Sequence, residues 1–196
     1  DGKNVYCTSS SGNMIYMYSR DTITGALTAL TPATVTTGTT PKNMVISPDG
    51  GTLYVSNTGS STIGVYSRNV ATGVLTYNPT QSSIATTYAI SRMTITPDGR
   101  NLYALSTASN YYIQYSIAKA TGALTIIGSP VSTSGWPGMT DIQCTATGME
   151  VLFAVGPGSQ LLHANRNPFT GVLTMQPGFI QSLSGATTID TFAQSP

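Results

Sequence analysis

Charge is what this chain has least of: Lys, Arg, Asp and Glu make up 8% of its 196 residues, 8 basic against 7 acidic, for a net charge of +1. So weak a field draws in neither a polyanion nor an anionic membrane surface, and no nucleic acid partner is expected. One His, His163, and one Glu, Glu150, leave little material for acid–base chemistry. No Gly-x-Ser-x-Gly elbow marks a serine nucleophile and no Asp-x-Asp-x-Asp run marks a calcium loop, so neither cofactor nor metal is expected. Apolar runs stay short, Val151 to Val155 being typical, against the roughly 20 residues that cross a bilayer as a helix. Membrane insertion is therefore not expected. Two cysteines, Cys7 and Cys144, are too few to establish an oxidising compartment. The chain starts at Asp1-Gly2 inside a repeat, without an initiator Met, and so reads as a processed, excised or truncated form. Low charge with abundant Ser and Thr points to an extracellular, cell-surface or periplasmic location.

In place of charge the chain uses Ser, Thr, Asn, Tyr and Gly, which form strands and turns and disfavour helix. It uses them periodically. One hairpin recurs as Asp1-Gly-Lys-Asn-Val-Tyr6, Asp49-Gly-Gly-Thr-Leu-Tyr54, Asp98-Gly-Arg-Asn-Leu-Tyr103 and the degenerate Thr147-Gly-Met-Glu-Val-Leu152. A second turn recurs as Thr24-Gly-Ala-Leu-Thr28, Thr72-Gly-Val-Leu-Thr76, Thr121-Gly-Ala-Leu-Thr125 and Thr170-Gly-Val-Leu-Thr174. Both series advance by 48, 49 and 49 residues. Within the second copy, four alternating runs near Lys42 to Ser47, Thr52 to Asn57, Thr62 to Arg68 and Val74 to Asn78 read as an antiparallel meander. Four strands at this period are the signature of a propeller blade.

The expected fold is all-β: a four-bladed β-propeller of four-stranded antiparallel blades in a single domain, residues 1–196. The repeats are approximately 1–40 plus 187–196, 41–89, 90–138 and 139–186. The segment from Thr187 to Pro196 matches the first strands that begin at Pro41 and Ser91, and it stops where the next residues should be Asp-Gly. Pairing of that segment with the N-terminal blade would close the ring and remove its open edges. Two alternatives remain: two chains pairing into an eight-bladed ring, or four blades of a longer propeller.

The run Ile46-Ser-Pro-Asp-Gly-Gly-Thr-Leu-Tyr-Val-Ser-Asn57, with Ile63-Gly-Val-Tyr-Ser-Arg68 and Thr72-Gly-Val-Leu-Thr76 after it, resembles the YVTN-type repeat of the lactonase-like propellers. That family includes 6-phosphogluconolactonase and many secreted bacterial surface proteins. The resemblance implies the blade, because the repeated residues are turn and packing positions, and it admits lactone hydrolysis as an activity.

Several residues are candidates for function. Inner strands of a propeller line its channel, so the axial mouth gathers polar groups from every blade. The copies differ most at the starts of those strands: Lys42-Asn43, Ser91-Arg92, Thr140-Asp141 and Asp190-Thr191. Tyr88 and the single Trp136 lie in the entering loops. Lys42, Tyr88, Arg92, Trp136, Asp141 and Asp190 thus form the expected ligand site, suited to a carbohydrate or other small polar ligand. The competing expectation is that Arg92 and Asp141 merely pair while Trp136 plugs the channel. Met44, Met93, Ile142 and Phe192 would fill the channel of a pure scaffold. Cys7 aligns with Val55, Ala104 and Phe153, and Cys144 with Ile46 and Ile95, positions of buried apolar side chains. A disulfide between Cys7 and Cys144 is the alternative to two inert thiols. His163 aligns with Met17, Val65 and Gln114 on the third strand, where packing rather than catalysis is expected. Tyr18, Tyr66 and Tyr115 mark a packing layer between blades, and Asp49 and Asp98 cap their own turns.

These observations favour a noncatalytic, exported propeller used as a binding or structural module, able to associate with copies of itself or with other surface proteins. The alternative is a lactonase-like hydrolase of a sugar lactone.

Overall fold

The computed structural model describes residues 2–78, 84–156, 160–176 and 181–182. Among them there is no helix, and the strands form four antiparallel sheets. The chain divides into two compact units, residues 1–90 and 91–196.

The first unit holds two sheets. The first of these runs β1 (Asn4–Ser9), β2 (Met14–Arg20) and β3 (Leu27–Thr36) in sequence order. The second runs β4 (Pro41–Ile46), β5 (Thr52–Asn57), β6 (Thr62–Arg68) and β7 (Leu75–Tyr77), with the short β8 (Ile84–Ala85) also pairing with β6. Strand order equals chain order, as a meander requires. The β4–β5 link shows why the sequence folds so locally. Gly50 takes φ +71°, a left-handed position that costs a side chain energy, and Asp49 Oδ1 accepts bonds from Ser47 Oγ at 2.5 Å and the Gly51 amide at 3.0 Å. The unit's core joins Ile15 and Met17 of the first sheet to Leu53, Val55, Tyr66 and Leu75 of the second, all buried.

In the second unit the third sheet comprises β9 (Arg92–Ile95), β10 (Asn101–Ser106), β11 (Tyr111–Ala118) and β12 (Ala123–Ile126), with β13 (Val131–Ser132) added to β11. The fourth comprises β14 (Met139–Cys144), β15 (Glu150–Val155), β16 (Gln160–Arg166) and β17 (Leu173–Met175), with β18 (Gln181–Ser182) added to β16. Asp98 caps its turn as Asp49 does, accepting from Thr96 Oγ1 at 2.6 Å and the Arg100 amide at 3.0 Å. The core runs through Tyr103, Leu105 and Tyr112 into Ile142, Phe153 and Leu162. Tyr112 and Phe153 meet with ring centroids 5.4 Å apart and planes tilted by 49°, a favoured aromatic geometry.

Two features depart from a uniform four-stranded repeat. Sheets two to four each carry a fifth, two-residue strand, whereas the first has three described strands and lacks a described counterpart of β4, β9 and β14. The segment expected to supply that strand, 187–196, lies outside the described residues. Tyr66 and Tyr115 are buried, as expected of a packing layer, while Tyr18 is only half-buried.

Candidate functional site

Within each unit the two sheets are joined by the same arginine device. Arg166, at the end of β16, has a side chain only 2% exposed. Its Nε donates to Asn101 Oδ1 at 3.0 Å, and its Nη2 donates to Asn101 Oδ1 at 2.6 Å and Asp98 Oδ2 at 2.8 Å, all on the third sheet. Its Nη1 donates to Gly148 O of its own sheet at 2.9 Å. Arg68 repeats the arrangement in the first unit, donating to Asn4 Oδ1 at 2.6 Å, Tyr6 Oη at 2.8 Å and Gly50 O at 3.2 Å. The tyrosines two residues beyond those asparagines complete the clamp: Tyr6 Oη donates to Gly73 O at 2.6 Å and Tyr103 Oη to Gly171 O at 2.8 Å. A planar guanidinium with several donors suits such a junction better than an ammonium would. Burial pushes the Asp98 carboxyl up, but the bonds from Thr96, the Arg100 amide and Arg166 outweigh it and hold it below the usual carboxylate range. The recurrence of Tyr-Ser-Arg at 18–20 and 66–68, and of Asn-Arg at 165–166, signals this device in the sequence, yet residue type alone does not distinguish it from a surface charge.

The expected ligand residues fall in both units. In the first, Lys42 is exposed at a β-bulge of β4, where the register shifts between Pro41 and Asn43. Tyr88 is half-buried, and its carbonyl accepts the Thr86 hydroxyl at 2.7 Å. In the second, the structure brings Arg92 and Asp141 together, with Arg92 Nε 3.8 Å from Asp141 Oδ1. A bulge between Met139 and Asp141 shifts the β14 register here, and Asp141 pairs across from Ala154. The pair is asymmetric: the Asp141 side chain is 4% exposed and that of Arg92 31%. Asp141 Oδ1 also accepts the Ile142 amide at 2.9 Å, and Arg92 Nη1 donates to Ser91 O at 3.1 Å. Trp136 packs against the core of the unit, and its amide closes a turn on Thr133 O at 2.8 Å. Two hydroxyls, Ser106 Oγ and Thr133 Oγ1, are buried without a hydrogen-bond partner, and Ser106 follows Leu105, which pairs with Arg92 across the β9–β10 ladder. Buried hydroxyls in that condition are uncommon and suit a polar ligand or water. Asp190 and Phe192 lie outside the described residues. Met93 and Ile142 are buried, and Met44 half-buried.

The remaining candidates are placed as follows. Cys7 is an exposed free thiol on β1, unlike the buried Val55, Ala104 and Phe153 with which it aligns. Cys144 is a half-buried thiol outside any disulfide, packed against the second unit's core, and burial pushes it up to about 11. His163 sits on β16 opposite Leu152, with Nε2 3.1 Å from Glu150 Oε1. The first unit also holds a cleft of about 440 Å³ between β1 and β4, lined among others by Asn4, Tyr6, Met44, Leu53 and Arg68. Sequence reasoning did not single it out. Among the described residues no three His, Cys, Asp or Glu side chains cluster as a metal site would require, and no helix is long and apolar enough to cross a membrane.

Against known proteins, the model of the family described as lactonase, 7-bladed β-propeller, matches residues 1–89. No curated protein matches the chain. A solved structure from Bacteroides fragilis, proposed to be a 6-phosphogluconolactonase, aligns at 20% identity and TM-score 0.81 over 96% of this chain and 53% of its own. The periplasmic gluconolactonase of Pseudomonas aeruginosa aligns at 20% identity and TM-score 0.76 over 96% and 53%. A protein from Lactobacillus plantarum aligns at 22% identity and TM-score 0.71 over 84% and 48%. The chain thus spans about half the length of these solved relatives. Residues 1–89 match the lactonase-like β-propeller family in sequence, and nearly the whole chain shares the fold of these solved structures.

Proposed function

We propose that the protein is a lactonase-like hydrolase that opens a sugar lactone at the Arg92–Asp141 end of its second unit. The observation that carries this reading is the asymmetry of that pair, a nearly buried carboxylate 3.8 Å from a guanidinium that solvent can reach. The names of the solved neighbours support it over the noncatalytic module that composition alone favours.

The chemistry follows from the two groups. The Asp141 carboxylate takes a proton from water as the water oxygen attacks the lactone carbonyl carbon. The Arg92 guanidinium stabilises the negative charge that develops on the carbonyl oxygen. Collapse of the tetrahedral intermediate breaks the ring C–O bond, and the departing alkoxide takes the proton back from Asp141. The product is an open-chain hydroxy acid, released as its carboxylate with a proton passed to solvent. The bond from the Ile142 amide to Asp141 Oδ1 holds the carboxylate in place.

Proton release during hydrolysis of gluconolactone gives the test. Asp141→Asn removes the base while keeping the shape, and a loss of about 10²-fold or more in kcat is expected. Arg92→Gln should lower kcat and kcat/KM together, as expected for an interaction made in the transition state. Wild-type protein that leaves the lactone to its uncatalysed rate would end the hydrolase reading. A glycan array would then test the same residues as a carbohydrate-binding site.

A further inference from the structure

The amides of a strand point alternately to its two edges, and those on an edge without a ladder need other acceptors. Directly after β14 the Thr145 amide donates to Glu150 O at 2.9 Å, toward β15. By alternation the amides of Ile142 and Cys144 point to the other edge. Side chains meet both: the Ile142 amide donates to Asp141 Oδ1 at 2.9 Å, and the Cys144 amide to Thr94 Oγ1 at 2.9 Å. The first acceptor belongs to β14 itself, the second to β9 of the third sheet.

The bond from Cys144 to Thr94 also fixes a register between the two inner strands. Arg92 pairs across from Leu105 and Thr94 from Tyr103, so the two side chains share one face of β9. Arg92 lies two residues before Thr94, and the amide that holds Asp141 Oδ1 lies two residues before Cys144. Two residues of strand rise about 6.5 Å on either side, so seating the Thr94 hydroxyl on the Cys144 amide brings the Arg92 guanidinium to Asp141. The start of β9 is pinned as well: Ser91 Oγ lies 3.2 Å from Leu105 O and 3.0 Å from Thr107 Oγ1, and accepts the Thr107 amide at 3.2 Å. Thr94 is not a repeat residue, since Val45 and Gln143 hold its position in β4 and β14.

We propose that Thr94 is a positioning residue, its hydroxyl holding β9 on β14 so that Arg92 stays against Asp141, a role that rests on the hydrolysis proposed above. The ion pair does not fix its own spacing, because a guanidinium 31% exposed and 3.8 Å from its partner gains little from the contact. Thr94 is 6% exposed, and its 2.9 Å bond satisfies an amide that has no ladder partner on that edge. Thr94 therefore acts through Arg92 and not on the lactone. A displacement of about 1 Å at a reacting pair costs on the order of 10²-fold in rate, so loss of one hydroxyl here reaches the chemistry.

Hydrolysis of gluconolactone by variants at this position tests the role. Thr94→Val keeps the shape and loses the acceptor, and kcat should fall on the order of ten-fold or more with KM within about two-fold of wild type. Thr94→Ser keeps the hydroxyl and should retain most of the wild-type kcat. In an Arg92→Gln background the Thr94→Val change should cost little further, because its effect passes through that arginine. Thr94→Ala is measured beside Thr94→Val, so that a poor fit of valine is told apart from loss of the bond. Wild-type kcat in both Thr94→Val and Thr94→Ala overturns the proposal and leaves the hydrolysis itself intact. An equal loss in the Arg92→Gln background overturns it too, since Thr94 is then a packing residue, as does failure of both variants to fold by circular dichroism. Wild-type protein without turnover overturns the hydrolysis and the positioning role together.

Discussion

Replacement of Arg166 by methionine keeps much of the side-chain volume and removes the whole clamp of the second unit. Four bonds are lost: two to Asn101, one to Gly148 O and one to Asp98. The Asp98 bond counts for little, because that carboxylate is 37% exposed and such pairs yield about 0–1 kcal/mol. The others leave the Asn101 amide oxygen and the Gly148 carbonyl in a buried site, and stranding each costs about 1–3 kcal/mol. Relief from burying the guanidinium offsets part of this, so a net loss of about 3 kcal/mol is expected. At this chain length that is about 6–12 °C in Tm, or a matching fall in the urea midpoint at unchanged slope. Arg100→Ala, an exposed arginine in the neighbouring turn, is the control and should stay within about 0.5 kcal/mol of wild type. If Arg166→Met loses less than about 1 kcal/mol, the clamp does not hold the two sheets together.

Acid should loosen the same junction. The Asp98 carboxyl lies below its usual range in the fold, so its stabilising contribution is complete above the ordinary carboxylate value of 3.8 and is lost as pH falls through the lowered folded value. Urea midpoints measured from pH 6 down to pH 3 should therefore fall less steeply for Asp98→Asn than for wild type, and identical slopes would contradict the assignment. The thiols should react in two phases with a disulfide reagent at pH 8. Cys7 is exposed and should react first; Cys144 is half-buried, with its thiol pushed up to about 11, and should react far more slowly. Cys7→Ser should abolish the fast phase, and no reactive thiol at all before reduction would show that Cys7 and Cys144 are joined.

Local chemistry made the blade readable. Pro-Asp-Gly and Thr-Gly turns require left-handed glycines and self-capping carboxylates, and Gly50, Gly73, Gly99 and Gly171 take those conformations wherever the motif occurs. The alternating runs between them can form only strands. The expected boundaries in the second repeat accordingly match β4 to β7 within one or two residues. The number of strands per sheet was less legible, because a two-residue strand such as β13 carries no periodic pattern and forms only when β11 offers an edge. The role of an arginine was not legible at all. Arg20, Arg68 and Arg166 follow similar residues, yet Arg166 is buried and Arg20 exposed. Pairing with Asn4 or Asn101 depends on a neighbouring sheet about 65 residues away in the chain. The pairing of Arg92 with Asp141 was among the expectations, since the repeat places both at the starts of inner strands, but the burial of the carboxylate follows from the bulge in β14 and the packing of β9 beside it. What the sequence determined by itself was the repeating unit, since turns and strands are set by neighbouring residues. Which charges meet was decided only by the tertiary structure, because that depends on how one sheet lies against the next.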